Sequence, residues 1–154
     1  MRIVMGFLSS VVSVALVGCL NLNTDADVDT ASEAITATAT VEYQITNISG
    51  STLTLDTASC SPSASIFPPF FVSSGSTVLF SASITTGTSL LCTVRYQDQT
   101  GVQGCQFQVD QFPGSGFASA NAYKGNSPHI PTCPFSGTAD GSVAFLGLFG
   151  MQTH

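Results

Sequence analysis

The chain is expected to fold as an all-β domain, an antiparallel β-sandwich of about seven strands. Three observations predict it. From Val41 onward, apolar residues recur at every second position. Glycine, proline and asparagine clusters separate these runs. No i, i+3, i+4, i+7 apolar stripe follows residue 40. Seven short strands in the 114 residues from 41 to 154 suit a sandwich, immunoglobulin-like in outline. A small barrel is the competing architecture.

The runs follow in order. Val41, Tyr43 and Ile45 alternate with Glu42, Gln44 and Thr46. Leu53 and Leu55 alternate with Thr54 and Asp56, and Val78, Phe80, Ala82 and Ile84 form a third run. Leu90, Cys92, Val94 and Tyr96 form a fourth, and Cys105, Phe107 and Val109 a fifth. Phe117, Ser119, Asn121 and Tyr123 form a weaker sixth, with alanines between them. Val143, Phe145, Gly147 and Phe149 form a seventh, apolar on both faces, as in a central strand. β-Branched and aromatic residues dominate these runs. The turns fall at 47–50, 86–87, 99–101, 113–116 and 140–141.

Charge narrows the function. Three basic and nine acidic residues leave a net charge of -6, and only 8% of residues are charged, against about a quarter in ordinary soluble domains. So few cations cannot track a phosphate backbone, so nucleic acid is excluded as a partner. Mean hydropathy of +0.36 argues against wholesale disorder. The charge is uneven. Residues 20–40 carry four acids and no base, whereas 41–154 carry two bases and five acids, a net of -3. Arg95 and Lys124 read as lone cations on a solvated surface.

Residues 1–18, with Arg2 before an uncharged apolar run, have the pattern of a secretory signal peptide. The run is short for a transmembrane helix. Leu16-Val17-Gly18-Cys19 resembles the lipobox of bacterial lipoprotein signal peptides. The resemblance implies cleavage before Cys19 and attachment of a diacylglycerol to its thiol through a thioether, so that the acyl chains make a membrane the partner at this end. It places the protein in the bacterial cell envelope. Leu20, where an inner-membrane retention signal would have Asp, points to the outer membrane in a Gram-negative host. The resemblance covers about the first 20 residues and says nothing of activity.

Residues 19–40 then read as the lipidated Cys and an acidic, flexible linker, spanning roughly 25 Å on average. Asp25, Asp27 and Asp29 have the opening spacing of an EF-hand loop. Thr30 and Thr36 stand where its Gly and Glu are needed, so no metal site is expected.

The remaining four cysteines, Cys60, Cys92, Cys105 and Cys133, form an even set in an exported chain and read as two disulfides. Three connectivities are open. Cys92 and Cys105 flank a hairpin near Asp98-Gln99, so the favoured pairing is Cys92–Cys105 with Cys60–Cys133. The spacing does not suit zinc.

Catalytic chemistry has little to work with. His129 lies in a proline-rich loop, and Asp110 or Asp140 would have to orient it as a base. No nucleophile elbow is present, and Asp29-Thr30-Ala31 and Asp56-Thr57-Ala58 lack the glycine of aspartic-protease triplets. No enzymatic activity and no cofactor are expected. Asn47-Ile48-Ser49 is a sequon of little weight in a bacterium.

The most unusual stretch is Ile66-Phe67-Pro68-Pro69-Phe70-Phe71-Val72, within a charge-free span from Thr57 to Val94. It reads either as a strand–turn–strand element buried in the core or as an exposed apolar loop that touches lipid, sugar or protein, with Phe67, Phe70 and Phe71 as the contact. Size, acidity and all-β character are similar to the aegerolysin-like membrane-binding sandwiches, but the absence of Trp departs from their lipid sites. The sequence thus describes an exported, lipid-anchored envelope β-domain. It acts as a non-catalytic binding or structural module for an envelope protein or surface polymer. The alternatives are a membrane-engaging protein that uses the Phe loop, and a hydrolase. Cys19→Ser is expected to abolish palmitate labelling and membrane retention; unchanged labelling of that variant would refute acylation.

Overall fold

Alternating strands bury one face each, and here the buried faces form two layers. A computed structural model describes residues 38–85, 89–139 and 144–153. The expected signal peptide, Cys19, the linker up to residue 37, the turns at 86–87 and 140–141, and His154 lie outside them. The strands are β1 (Thr38–Asn47), β2 (Leu53–Ser61), β3 (Phe71–Val72), β4 (Thr77–Thr85), β5 (Leu90–Gln97), β6 (Gly104–Phe112), β7 (Ser115–Tyr123), β8 (Phe135–Ala139) and β9 (Ala144–Met151). One sheet has the order β4-β1-β9-β8 and the other β3-β2-β5-β6-β7. Neighbours are antiparallel except β1 and β9, which run parallel.

The sandwich expectation holds, with two more strands than the alternation revealed. β3 has two residues, and β8 is exposed throughout, so neither carries a buried stripe. β1 begins at Thr38, three residues before the expected boundary, because Thr38–Thr40 pair with β4. In β7 the inward face is the alanine one: Ala118 and Ala120 pack on the core, and Phe117 is exposed. Small residues let the edge of this sheet approach the other. Gly137 of β8 shows how closely, since a Cβ there would lie 3.2 Å from that of Ala118 and 2.4 Å from the Phe145 ring.

The core is built around Tyr43. Its ring stacks on Phe80 at 5.1 Å and on Phe149 at 5.4 Å, and Phe149 meets Phe107 of the facing sheet at 4.8 Å. The Tyr43 hydroxyl crosses between sheets and donates to the Cys92 carbonyl. Burial pushes this phenol well above its ordinary pKa, with the Val109 backbone a smaller opposing influence, so it stays a neutral donor.

The disulfides differ from the favoured pairing. They join Cys60 to Cys92 and Cys105 to Cys133. Cys92 and Cys105 face the core on adjacent strands, but the register opposes Cys92 to Val109 and Cys105 to Tyr96. The two cysteines are thus offset by four residues, roughly 13 Å along the hairpin, beyond disulfide reach. Cys60 instead lies directly opposite Cys92. The bonds span sequence separations of 32 and 28 residues, so each should stabilise the fold by about 3–4 kcal/mol through the unfolded chain's entropy. Non-reducing peptide mapping should recover these two pairs. Replacing either pair by serines should lower Tm by more than 10 °C, the scale that such a loss implies for a domain of this size.

Candidate functional site

Between β2 and β3 the chain runs from Pro62 to Phe70, and the backbone of this loop is held at several points. Pro68 and Pro69 fix φ and remove two amide donors, so the strand ladder cannot continue through them. Ala64 and Ile66 pack on the core, and Val72 is buried. The Tyr96 hydroxyl donates to the Pro69 carbonyl at 2.6 Å, and the Leu55 amide to the Phe70 carbonyl at 2.8 Å. Beyond the loop, Asn47 Nδ2 donates to the Val72 and Ser51 carbonyls at 2.8 Å each.

The side chains that remain point outward. Phe67, Phe70 and Phe71 are 82%, 58% and 61% exposed, and the rings of Phe70 and Phe71 meet edge to face at 4.7 Å. The structure therefore departs from the buried strand–turn–strand reading. The inward positions here are taken by Ile66, Leu53 and Val72, and strand alternation then turns Phe71, next to Val72, outward. The exposed ring area equals about two whole Phe side chains. Moving that area out of water would contribute about 3–6 kcal/mol.

Beside the loop, on the outward face of the five-stranded sheet, lies a polar cluster that sequence reasoning missed. Arg95 is not a lone cation. Its Nε lies 2.9 Å from Asp56 Oδ2, and its guanidinium stacks 3.7 Å over the Tyr123 ring. Contact with Tyr123 is the largest influence raising its pKa, against a loss from burial. A β-bulge between Leu55 and Thr57 brings Asp56 there, because Leu55 pairs with Tyr96 and Thr57 with Arg95. Tyr123 lies across Gly104, where a Cβ would meet the phenol at about 2 Å, and its hydroxyl donates to Gln97 Oε1 at 3.4 Å. The outward phase of β5 was a readable signal for Arg95, whereas Tyr123 fell in the β7 run that the structure turns outward. The bulge had no signal.

The catalytic candidates are not assembled. His129 is exposed, and its backbone amide donates to Ser127 Oγ at 3.2 Å. Asp110 lies on the outward face of β6, between Leu91 and Phe117 in register, and Asp140 is outside the described residues. Among the described residues, no three His, Cys, Asp or Glu side chains cluster as metal ligands, and all four cysteines from Cys60 on are in disulfides. On the other sheet an open groove of about 360 Å³ runs past Gln44, Ile48, Phe135 and Leu148.

No protein-family model and no curated protein matches the chain. Among solved structures, that of the lipid binding protein Nakanori is similar. The TM-score is 0.57 over 75% of this chain and 71% of that one, at 7% identity. At such identity the likeness is one of fold.

Asp110 permits a test of the local electrostatics. Its Oδ1 is buried without a hydrogen bond, and desolvation raises its pKa. A carboxyl whose folded pKa exceeds the unfolded value weakens the fold when ionised. Stability therefore rises as pH falls through the raised pKa, until the unfolded carboxyl also protonates. Asp110→Asn should raise Tm at pH 7 and give no advantage near pH 3; thermal melts at both values decide this.

Proposed function

We propose that the domain is a non-catalytic module that binds lipid surfaces through Phe67, Phe70 and Phe71, on an exported protein anchored in the envelope by acylated Cys19. The observation that carries this reading is the presentation of three phenylalanines from a backbone fixed to the core. Apolar rings displayed on an ordered loop lose little entropy on contact, so most of their transfer energy is available for binding. The 57–94 span around them has no charge to desolvate. A fold shared with a lipid binding protein supports the reading at the level of architecture. Two disulfides suit an extracytoplasmic address, and the poor supply of catalytic groups suits binding.

The strength of the contact follows from its size. Taken as a transfer free energy, about 3–6 kcal/mol corresponds to a dissociation constant between roughly 40 μM and several millimolar, and the cost of association moves an isolated domain to the millimolar end or weaker. An acyl anchor would hold the domain near a bilayer at comparable effective concentration, so a weak contact is enough. Co-sedimentation of the chain from residue 19, carrying Cys19→Ser, with zwitterionic phospholipid vesicles tests this. Binding should be detectable at millimolar lipid and fall at least tenfold in the Phe70→Asp/Phe71→Asp variant, with Tm unchanged. Equal binding by the variant would sink the lipid reading.

A further inference from the structure

We infer that Arg95, Asp56 and Tyr123 form a headgroup site for zwitterionic phospholipid beside the Phe loop; this rests on the lipid reading above. Phe71 pairs with Thr54, and Thr54 with Gln97, the residue two before which is Arg95 on the same strand. All four are outward positions of one sheet. Arg95 thus stands two strand spacings sideways and two residues along the strand from Phe71, roughly 12 Å away in all. One bilayer surface meets both when this edge tilts into it, because the polar layer is about 5–8 Å deep on each side.

The chemistry of the cluster selects the ligand. The guanidinium is fixed flat by the Tyr123 ring on one face and by Asp56 at Nε. A fixed guanidinium presents its other N–H groups as a fork that suits a phosphodiester. Asp56, exposed beside it, offers a carboxylate to an ammonium group. A neutral ion pair thus faces a neutral zwitterion, positive to phosphate and negative to amine. The surroundings oppose a net anionic surface: residues 41–154 hold Arg95 and Lys124 against five acids, so phosphatidylglycerol is repelled. Sugar headgroups without phosphate give the guanidinium no anion.

The chain from residue 19, carrying Cys19→Ser, is titrated with three kinds of vesicle: phosphatidylethanolamine with phosphatidylcholine, phosphatidylglycerol, and galactosyl-diacylglycerol. The wild type should bind the zwitterionic vesicles about tenfold more tightly than either other kind. Arg95→Gln should remove that preference and leave binding to galactolipid unchanged, with Tm within 2 °C of wild type. Asp56→Asn should move the preference toward phosphatidylglycerol. Glycerophosphoethanolamine should compete, and inorganic phosphate at equal concentration should not. Unaltered selectivity in Arg95→Gln, or equal competition by inorganic phosphate, would overturn the headgroup site. Equal wild-type binding to all three vesicles overturns the site while leaving the Phe-loop reading intact. Absence of binding to every vesicle overturns both.

Discussion

Two phenol hydroxyls are carried into the core, and a buried hydroxyl without an acceptor costs on the order of 1–3 kcal/mol. Tyr43 and Tyr96 have no exposed surface as residues. The Tyr43 hydroxyl finds the Cys92 carbonyl on the facing sheet, and that of Tyr96 finds the Pro69 carbonyl in the Phe loop. The first contact sets how the two sheets sit on one another. The second holds the loop in place. Both acceptors are backbone carbonyls, so a shift of either segment would leave a phenol unpaired. The order of the loop therefore follows from the needs of the core.

β5 gathers these constraints. Its inward residues Leu90, Cys92, Val94 and Tyr96 are fully buried. Cys92 is bonded through sulfur to β2 and accepts the Tyr43 hydroxyl through its carbonyl. The outward phase of the same strand carries Arg95 and Gln97. One strand thus positions core and surface together, and its register transmits to the loop and to the polar cluster alike. The covalent tie to Cys60 strengthens this, because β2 leads directly into the Phe loop.

Much of this was legible in the sequence. The phase of Val41-Tyr43-Ile45 and of Leu90-Cys92-Val94-Tyr96 identifies the inward residues, because burial of one sheet face imposes a period of two. The phase fails at Asp56. Leu53 and Leu55 face inward, yet after the bulge Ala58 and Cys60 do so. A strict alternation would turn Cys60 outward and away from Cys92. One inserted residue therefore hides the disulfide partner, and it also creates the Arg95–Asp56 pair. The alanine face of β7 was hidden for another reason: side-chain size there is set by the nearness of β8, a distant segment. The composition of the Phe stretch fitted either burial or display, and the pairing of β3, which turns Val72 inward, decided between them.

The ends of the sandwich have different neighbours. β1 begins at Thr38, paired with Thr85, and ends at Asn47, whose side chain holds Val72. The ten residues between span about 33 Å. Phe70 and Phe71 therefore lie toward the Asn47 end of β1. Contact at that end is governed by apolar and paired groups, because residues 41–154 hold only seven charges to steer it. Salt would then change its association little, unlike that of a protein held by a basic patch.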